Sequence, residues 1–263
     1  LTFSIKMNLH YLIQEPKVKH DKNPLLILLH GYGSNEEDLF SFATELPDDS
    51  YVISVRAPYD LQPYGHAWYA IHFDADENKF SDNVQAKQSV ELIAGFIEEI
   101  VKQYPIDAKN VTLIGFSQGA ILSYATALTY PEKVAKVVAL SGYFNKEIMP
   151  EVIDTKAISH LKFFVSHGSV DQVIPVEWAR KAKPALENLG LEVEYHEYPV
   201  GHGVAPQNFF FDRLPALIKH YLAVPSRLAK EKELGLLKEH FHPQALRTTL
   251  DYIVKGWAGI GSI

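Results

Sequence analysis

The hydrophobic pattern of the chain alternates between two kinds of segment. Runs that are apolar throughout, LLILL at residues 25–29 and VTLI at residues 111–114, are typical of strands buried on both faces of a parallel sheet. Between them, residues 81–103 place apolar side chains at mainly three- and four-residue steps, which predicts an amphipathic crossover helix. The alternation of strand and helix predicts an open, mostly parallel sheet flanked by helices.

The same pattern predicts further elements on both sides of these segments. Strands are predicted at residues 5–13, at the sheet edge, and at residues 51–55, 137–140, 162–166 and 191–198. Helices are predicted after a cap at Ser34 or Asn35, after Ser117, over residues 176–189 with Gly190 as the C-cap, and over residues 206–221.

One segment, VTLIGFSQGA at residues 111–120, predicts a strand, a sharp turn and a helix. Ser117 lies in the turn, and Gly115 and Gly119 satisfy the need for small residues where strand and helix approach each other. The pentapeptide also occurs by chance, with the serine acting only as a helix cap. The strand before it and the helix after it favour a nucleophilic serine.

A base and an acid follow later strands. Sites in open α/β sheets gather at the carboxyl ends of the strands, where Asp171 and His202 stand. The order Ser117, Asp171, His202 is that of α/β-hydrolases, so His202 is predicted as the base and Asp171 as the acid that orients it. Asp154 and Glu177 are rival acids, but Asp171 lies in the loop between a buried strand and a helix, where the acid belongs.

The tetrahedral intermediate needs hydrogen-bond donors arranged in advance. Backbone N–H groups of Gln118, directly after the nucleophile, and of Tyr32, in the HGYG turn, are predicted to form the oxyanion hole. His30 is interpreted as structural support for that turn rather than as a second base.

With these residues in place, the sequence resembles the carboxylesterase, phospholipase and acyl-protein thioesterase family of serine α/β-hydrolases. The matching segments are LLHGYGSNEEDL, RAPY, AWYAI, GFSQGA, LSGYF, HGSVDQVIP and GHG, which cover about residues 8–222. The resemblance implies the same triad and the same oxyanion donors. Ser34 stands where eukaryotic thioesterases tend to have aspartate, so the chain is more similar to the bacterial carboxylesterase branch.

Aromatic residues are concentrated in the long segment between residues 56 and 82 and in LSGYF. They are predicted either to line an acyl-binding cleft or to pack on one another as a surface loop, and the cleft is favoured. Trp68, Tyr69 and Tyr143 are the predicted substrate-binding residues.

Composition excludes several classes of partner. A net charge of −7 without a cluster of Lys and Arg argues against nucleic acid and anionic membranes. No apolar run approaches the roughly 18 residues of a membrane span, so no stable membrane insertion and a cytoplasmic location are expected. The chain has no cysteine, so its nucleophile must be an oxygen. His240 and His242 lack an identifiable third ligand, and neither a metal nor an organic cofactor is expected.

The family pattern ends near Leu222, which predicts two domains, an α/β-hydrolase domain at residues 1–222 and a helical extension at residues 223–263. The second run of the extension, from Pro243, is amphipathic. Packing on its own domain or against a homodimer mate is favoured over covering the site.

The sequence therefore predicts a serine hydrolase that acts through an acyl-enzyme on small to medium acyl esters. A lysophospholipase or an acyl thioesterase of the same fold is the alternative within the class. A non-catalytic binding protein is the competing class, and such proteins usually lack a member of the triad.

Overall fold

The computed structural model describes residues 9–73 and 79–204. Within these residues, eleven strands run in chain order: β1 Tyr11–Gln14, β2 Asn23–Leu29, β3 Tyr51–Val55, β4 Tyr59–Asp60, β5 His66–Ala67, β6 Ile71–Phe73, β7 Lys79–Ser81, β8 Ile106–Phe116, β9 Lys136–Leu140, β10 Lys162–Gly168 and β11 Glu192–Tyr198. Six α-helices accompany them: α1 Glu36–Phe40, α2 Asn83–Gln103, α3 Gln118–Thr129, α4 Thr155–Ile158, α5 Val176–Arg180 and α6 Ala182–Glu187.

Seven strands form the central sheet in the order β1-β3-β2-β8-β9-β10-β11. Among the described strands of this sheet, only β1 runs antiparallel to its neighbour, and the other pairs are parallel. The predicted mostly parallel sheet, with an edge strand near the N-terminus, is confirmed. The parallel strands β2, β3, β8, β9, β10 and β11 thus end at the same edge of the sheet, which brings the loops after them together.

Both faces of the sheet are covered, as the apolar runs predict. Alternate residues of β2 point to opposite sides because side chains alternate along a strand. Leu25 and Ile27 pack in the larger core with α2, α3 and α6, whereas Leu26 and Leu28 pack on the other face with Leu39 of α1. The sheet is therefore buried by apolar side chains on both faces, and the loops at its edge are attached to this core.

Capping residues fix where the helices begin. Asn35 accepts the backbone N–H of Glu37 at the start of α1, so Asn35 rather than Ser34 is its cap. Asp82 accepts the N–H groups of Val84 and Gln85, so α2 begins at residue 83 rather than at 81.

The predicted helix over residues 176–189 is wrong in one respect, because it is two helices that meet at Lys181. Pro184 has no N–H to donate to a carbonyl four residues earlier, but it fits the first turn of a new helix. The second helix ends at Glu187 with Asn188 as its C-cap, two residues before the predicted cap at Gly190. Gly190 has φ of 81° and reverses the chain direction there, and Leu191 N–H donates to the Leu186 carbonyl.

The segment between β3 and α2 has more regular structure than expected. It forms two small antiparallel ribbons, β4 with β5 and β6 with β7. Pairings of two or three residues are too short to leave a periodic pattern in the sequence.

The predicted helix over residues 206–221 and the extension at residues 223–263 lie outside the described residues, so the domain boundary stays a prediction. Within the described part of the chain, no helix combines the length and apolarity needed to cross a membrane.

Candidate active site

The turn at Ser117 joins β8 to α3 in a strained conformation. Ser117 has φ of 53° and ψ of −114°, a region that residues with a Cβ rarely adopt. Its N–H donates to the Leu140 carbonyl over 2.9 Å, which ties the turn to the end of the neighbouring strand β9. Ser117 is 8% exposed, at the edge where the strands end.

The two glycines beside Ser117 are needed for close approach, as predicted. A Cβ on Gly115 would overlap the backbone of Gly119, and a Cβ on Gly119 would overlap the carbonyl of Leu29. The first contact is within the strand–helix turn. The second is with β2, so α3 presses against the adjacent strand as well as its own.

The three predicted triad residues come together. His202 Nε2 lies 3.1 Å from Ser117 Oγ, and His202 Nδ1 lies 2.8 Å from Asp171 Oδ2. The side chain of Asp171 is fully buried, and that of His202 is 17% exposed. The hydrogen bonds thus lead from a fully buried carboxylate through the imidazole to the hydroxyl of Ser117, which is largely buried at the edge of the sheet.

Asp171 is held by donors on both carboxylate oxygens. Its Oδ1 accepts the N–H groups of Val173 and Ile174, at 2.8 and 2.9 Å, and its Oδ2 faces His202. The rival acids lie elsewhere: Asp154 caps α4, and Glu177 pairs with Arg180. These hydrogen bonds fix the orientation of the Asp171 carboxylate towards His202.

The loop that carries His202 is anchored by Ser141, a residue that sequence reasoning missed. Ser141 Oγ donates to the Gly203 carbonyl over 2.9 Å, and its backbone has φ of 51°. The ring of Phe116 lies 5.1 Å from the His202 ring, centroid to centroid. Ser141 follows β9, so a side chain at the end of a third strand helps to fix the position of the His202 loop.

The HGYG turn lies beside the nucleophile. A Cβ on Gly31 would lie 3.2 Å from Ser117 Cβ, so the turn and the serine are in close contact. Gly33 N–H donates to the His66 carbonyl over 2.9 Å, and His66 N–H returns to Ser34 over 2.8 Å. Tyr32 is 44% exposed, and the two backbone hydrogen bonds to His66 of β5 hold the turn in which it lies.

The predicted structural role of His30 is confirmed. Its Nδ1–H donates to the Gly31 carbonyl over 2.7 Å, and its Nε2 accepts the Ala57 N–H over 3.0 Å. Burial lowers the pKa of His30, which favours the neutral ring that this pair of bonds requires. The Trp68 indole N–H donates to the His30 carbonyl over 2.9 Å.

The side chain of Gln118 makes contacts that the sequence did not reveal. Its Oε1 accepts the backbone N–H of Trp68 over 3.1 Å, and its Nε2 donates to the Tyr69 carbonyl over 2.8 Å. Gln118 is 2% exposed, so both bonds are buried. The first residue of α3 therefore holds the aromatic segment against the nucleophile turn.

The three predicted substrate-binding residues differ in position. Trp68 and Tyr69 are 0% and 1% exposed and belong to the core, so their side chains support the segment rather than face solvent. Burial also raises the pKa of Tyr69. Tyr143 is only partly buried and packs edge-to-face against Trp178, with ring centroids 5.2 Å apart. Trp178, which sequence reasoning missed, is 45% exposed.

No set of three His, Cys, Asp or Glu side chains placed to hold a metal ion occurs within residues 9–73 and 79–204. His240 and His242 lie outside these ranges.

Comparison with known proteins supports the same fold and chemistry. A family model described as phospholipase/carboxylesterase matches residues 8–212. Esterase YpfH of Escherichia coli K12 is 30% identical over 223 residues, which are 81% of this chain and 90% of that protein. Acyl-protein thioesterase 1 of Debaryomyces hansenii is 30% identical over 143 residues, 53% of this chain and 61% of that protein. The crystal structure of the Bacillus cereus carboxylesterase has a TM-score of 0.68 at 21% identity, over 82% of this chain and 95% of that one, which shows the shared fold.

Proposed function

Since the chain belongs to the phospholipase/carboxylesterase family of α/β-hydrolases, we propose that Ser117, His202 and Asp171 hydrolyse carboxylic esters through an acyl-enzyme. The observation that carries this proposal is the continuous relay from Asp171 Oδ2 through His202 to Ser117 Oγ, at 2.8 and 3.1 Å. Both distances are within hydrogen-bond reach, which a nucleophile, its base and the orienting acid require.

In the first half-reaction Ser117 Oγ bonds to the ester carbonyl carbon while its proton passes to His202 Nε2. The imidazolium keeps its Nδ1–H on Asp171 Oδ2. When the tetrahedral intermediate collapses, the bond to the alcohol oxygen breaks and His202 gives the proton to that oxygen. A water molecule then repeats the sequence on the acyl-enzyme, and Ser117 is regenerated with release of the acid.

The backbone N–H groups of Gln118 and Tyr32 are the proposed oxyanion donors. Gln118 is the first residue of α3, where a backbone N–H has no carbonyl partner in its own helix and lies at the positive end of the helix dipole. Tyr32 lies in the turn that touches Ser117. Two donors fixed before the reaction stabilise the developing charge without reorganisation.

Small to medium acyl esters are the proposed substrates, with Tyr143 and the exposed Trp178 as acyl contacts. A Cβ on Gly142 would lie 3.1 Å from the Ser117 carbonyl oxygen, so the residue before Tyr143 already packs beside the nucleophile. Acyl thioesters and lysophospholipids are alternatives that differ only in leaving group or chain length. The cytoplasmic location and a homodimer stay predictions of the sequence.

The deciding experiment compares Ser117→Ala with Ser54→Ala on a p-nitrophenyl ester series from acetate to palmitate, a lysophospholipid and an acyl thioester. Ser54 is also a buried serine, but it lies on β3 and its Oγ has no hydrogen-bond partner among the described residues. We expect Ser117→Ala to lose ester hydrolysis and fluorophosphonate labelling while Ser54→Ala retains both. Activity retained by Ser117→Ala would refute the proposal. A wild-type protein that hydrolyses none of these substrates and is not labelled would indicate a non-catalytic binding protein instead.

A further inference from the structure

A second imidazole lies against the acid of the triad. His167, near the end of β10, has a side chain that is 0% exposed. Its Nε2 is 2.9 Å from the Ile174 carbonyl oxygen and 3.2 Å from Asp171 Oδ2, the oxygen that also faces His202. The relay of the proposed function makes no use of this ring.

The neighbours of the His167 ring indicate its tautomer. Both groups near Nε2 are acceptors, so this nitrogen carries the proton and donates it to the Ile174 carbonyl. Nδ1 is buried without a hydrogen-bond partner among the described residues. An unpaired buried acceptor is unfavourable, which makes a histidine here hard to explain by packing alone.

The contacts of His167 and Ile174 surround the Asp171 carboxylate. Ile174 donates its N–H to Asp171 Oδ1 over 2.9 Å, and its carbonyl accepts from His167. His167 thus holds the turn that supplies one of the two donors to Oδ1. The positive end of its N–H dipole also lies beside Oδ2, where it offsets part of the negative charge felt by His202.

The other charged group near His167 is Glu197, its register partner on β11, which interacts with it electrostatically. Glu197 is held by two hydrogen bonds from Arg180 and one from Tyr195, so its charge is already neutralised. His202 faces Asp171 and Ser117 and packs on the Phe116 ring. Asp171 is therefore the charge on which His167 acts most directly.

We propose that His167 is a positioning residue that holds the turn around Asp171 and lowers the proton affinity of the Asp171–His202 pair. Without the N–H dipole of His167, the Asp171 carboxylate would stabilise the imidazolium of His202 more strongly. His202 would then be protonated at a higher pH and could not act as a base below that pH. This inference rests on the proposed function, because it assigns His167 to the acid of that triad.

The test is His167→Phe, which keeps a flat ring without nitrogen, paired with His167→Gln, whose amide N–H is able to reach the position of Nε2. We expect the acid-side midpoint of the pH profile of kcat/KM to rise by about 0.5 pH unit in His167→Phe, with KM unchanged. His167→Gln should return the midpoint towards wild type. If His167→Phe does not fold, His167→Asn carries the same test, since its shorter side chain loses the donor.

His160→Phe is the matched control, because His160 also donates to backbone carbonyls, of Pro131 and Val134, but away from the site. It should leave the pH midpoint unchanged. An unchanged or lower midpoint in His167→Phe, or Phe and Gln variants that behave alike, would overturn the inference.

The same midpoint is measurable without substrate, by following the ring of His202 in NMR spectra of the free protein and assigning it with His202→Gln. An upward shift there supports the role of His167 even if the ester panel fails. If the wild-type protein hydrolyses esters and His167→Phe shows no shift in either readout, the proposed function stands and this inference is refuted.

Discussion

The side chain of Gln118 gives the sharpest quantitative prediction. Gln118→Ala keeps the backbone N–H proposed for the oxyanion hole but removes both bonds of the amide, to Trp68 N–H and to the Tyr69 carbonyl. Each leaves a buried backbone group without its partner, at about 1–3 kcal/mol apiece. Because water is able to enter the space left by the amide, we expect a loss near the lower end, about 2–4 kcal/mol in total.

The effect of Gln118→Ala on catalysis follows from the contact that Trp68 makes with His30. Its indole N–H donates to the His30 carbonyl, and the His30 ring in turn donates to the carbonyl of Gly31 in the HGYG turn, which carries a proposed oxyanion donor. Removal of an oxyanion donor costs roughly a hundred- to thousand-fold in kcat, so partial displacement of the turn should cost about tenfold. The lost rate would come from geometry, since the N–H of residue 118 is still present.

Urea unfolding followed by circular dichroism, together with kcat on p-nitrophenyl butyrate, measures both quantities. Gln103→Ala is the control, because its side chain is exposed and makes one long contact with the Tyr104 hydroxyl, at 3.3 Å. It should stay within about 0.5 kcal/mol of wild type. A Gln118→Ala protein with wild-type stability and kcat would refute the reasoning.

Two further predictions concern the histidine loop and an ion pair. Ser141→Ala loses the hydrogen bond to the Gly203 carbonyl but keeps the positive φ, so its kcat should fall about tenfold. Ser141→Gly should have the same low kcat but a more stable fold, because glycine relieves the backbone strain. A wild-type kcat in Ser141→Ala would contradict this. Hydrogen bonds from Arg56 lower the pKa of the buried Glu36 to about 2 from its usual 4.5. The pair therefore stabilises the fold above pH 4.5 by about 3 kcal/mol, and this stabilisation is lost as the pH falls towards 2. Glu36→Gln should flatten that part of the pH–stability curve, and an unchanged slope would show that the pair contributes nothing.

The elements that the sequence predicted well are those whose signal is local. The apolar runs of β2 and β3 and the period of α2 appear within one window of the chain, and their bounds agree within a few residues. The turn at Ser117 also carries its own signal, because Gly115 and Gly119 stand two residues before and two residues after the serine. The order of the triad residues then followed from the rule that sites lie at strand ends.

Other features depend on which distant segments the fold brings together. Gln118 reaches Trp68 across 50 residues, Ser141 reaches Gly203 across 62, and Trp68 is buried rather than exposed in a cleft. No periodicity reports such contacts, since a polar side chain that bonds a remote backbone group looks the same in sequence as one that faces water.

The sequence by itself therefore determined the sheet, the turn at Ser117, and which histidine and aspartate the fold brings to that serine. The tertiary structure decided how the acid is surrounded, through the Ile174 turn and the His167 ring, and which aromatic side chains support the turn rather than reach the surface. The physical reason is that strand and helix formation is governed by neighbours along the chain. The proton affinity and aim of a catalytic group are governed by neighbours in space.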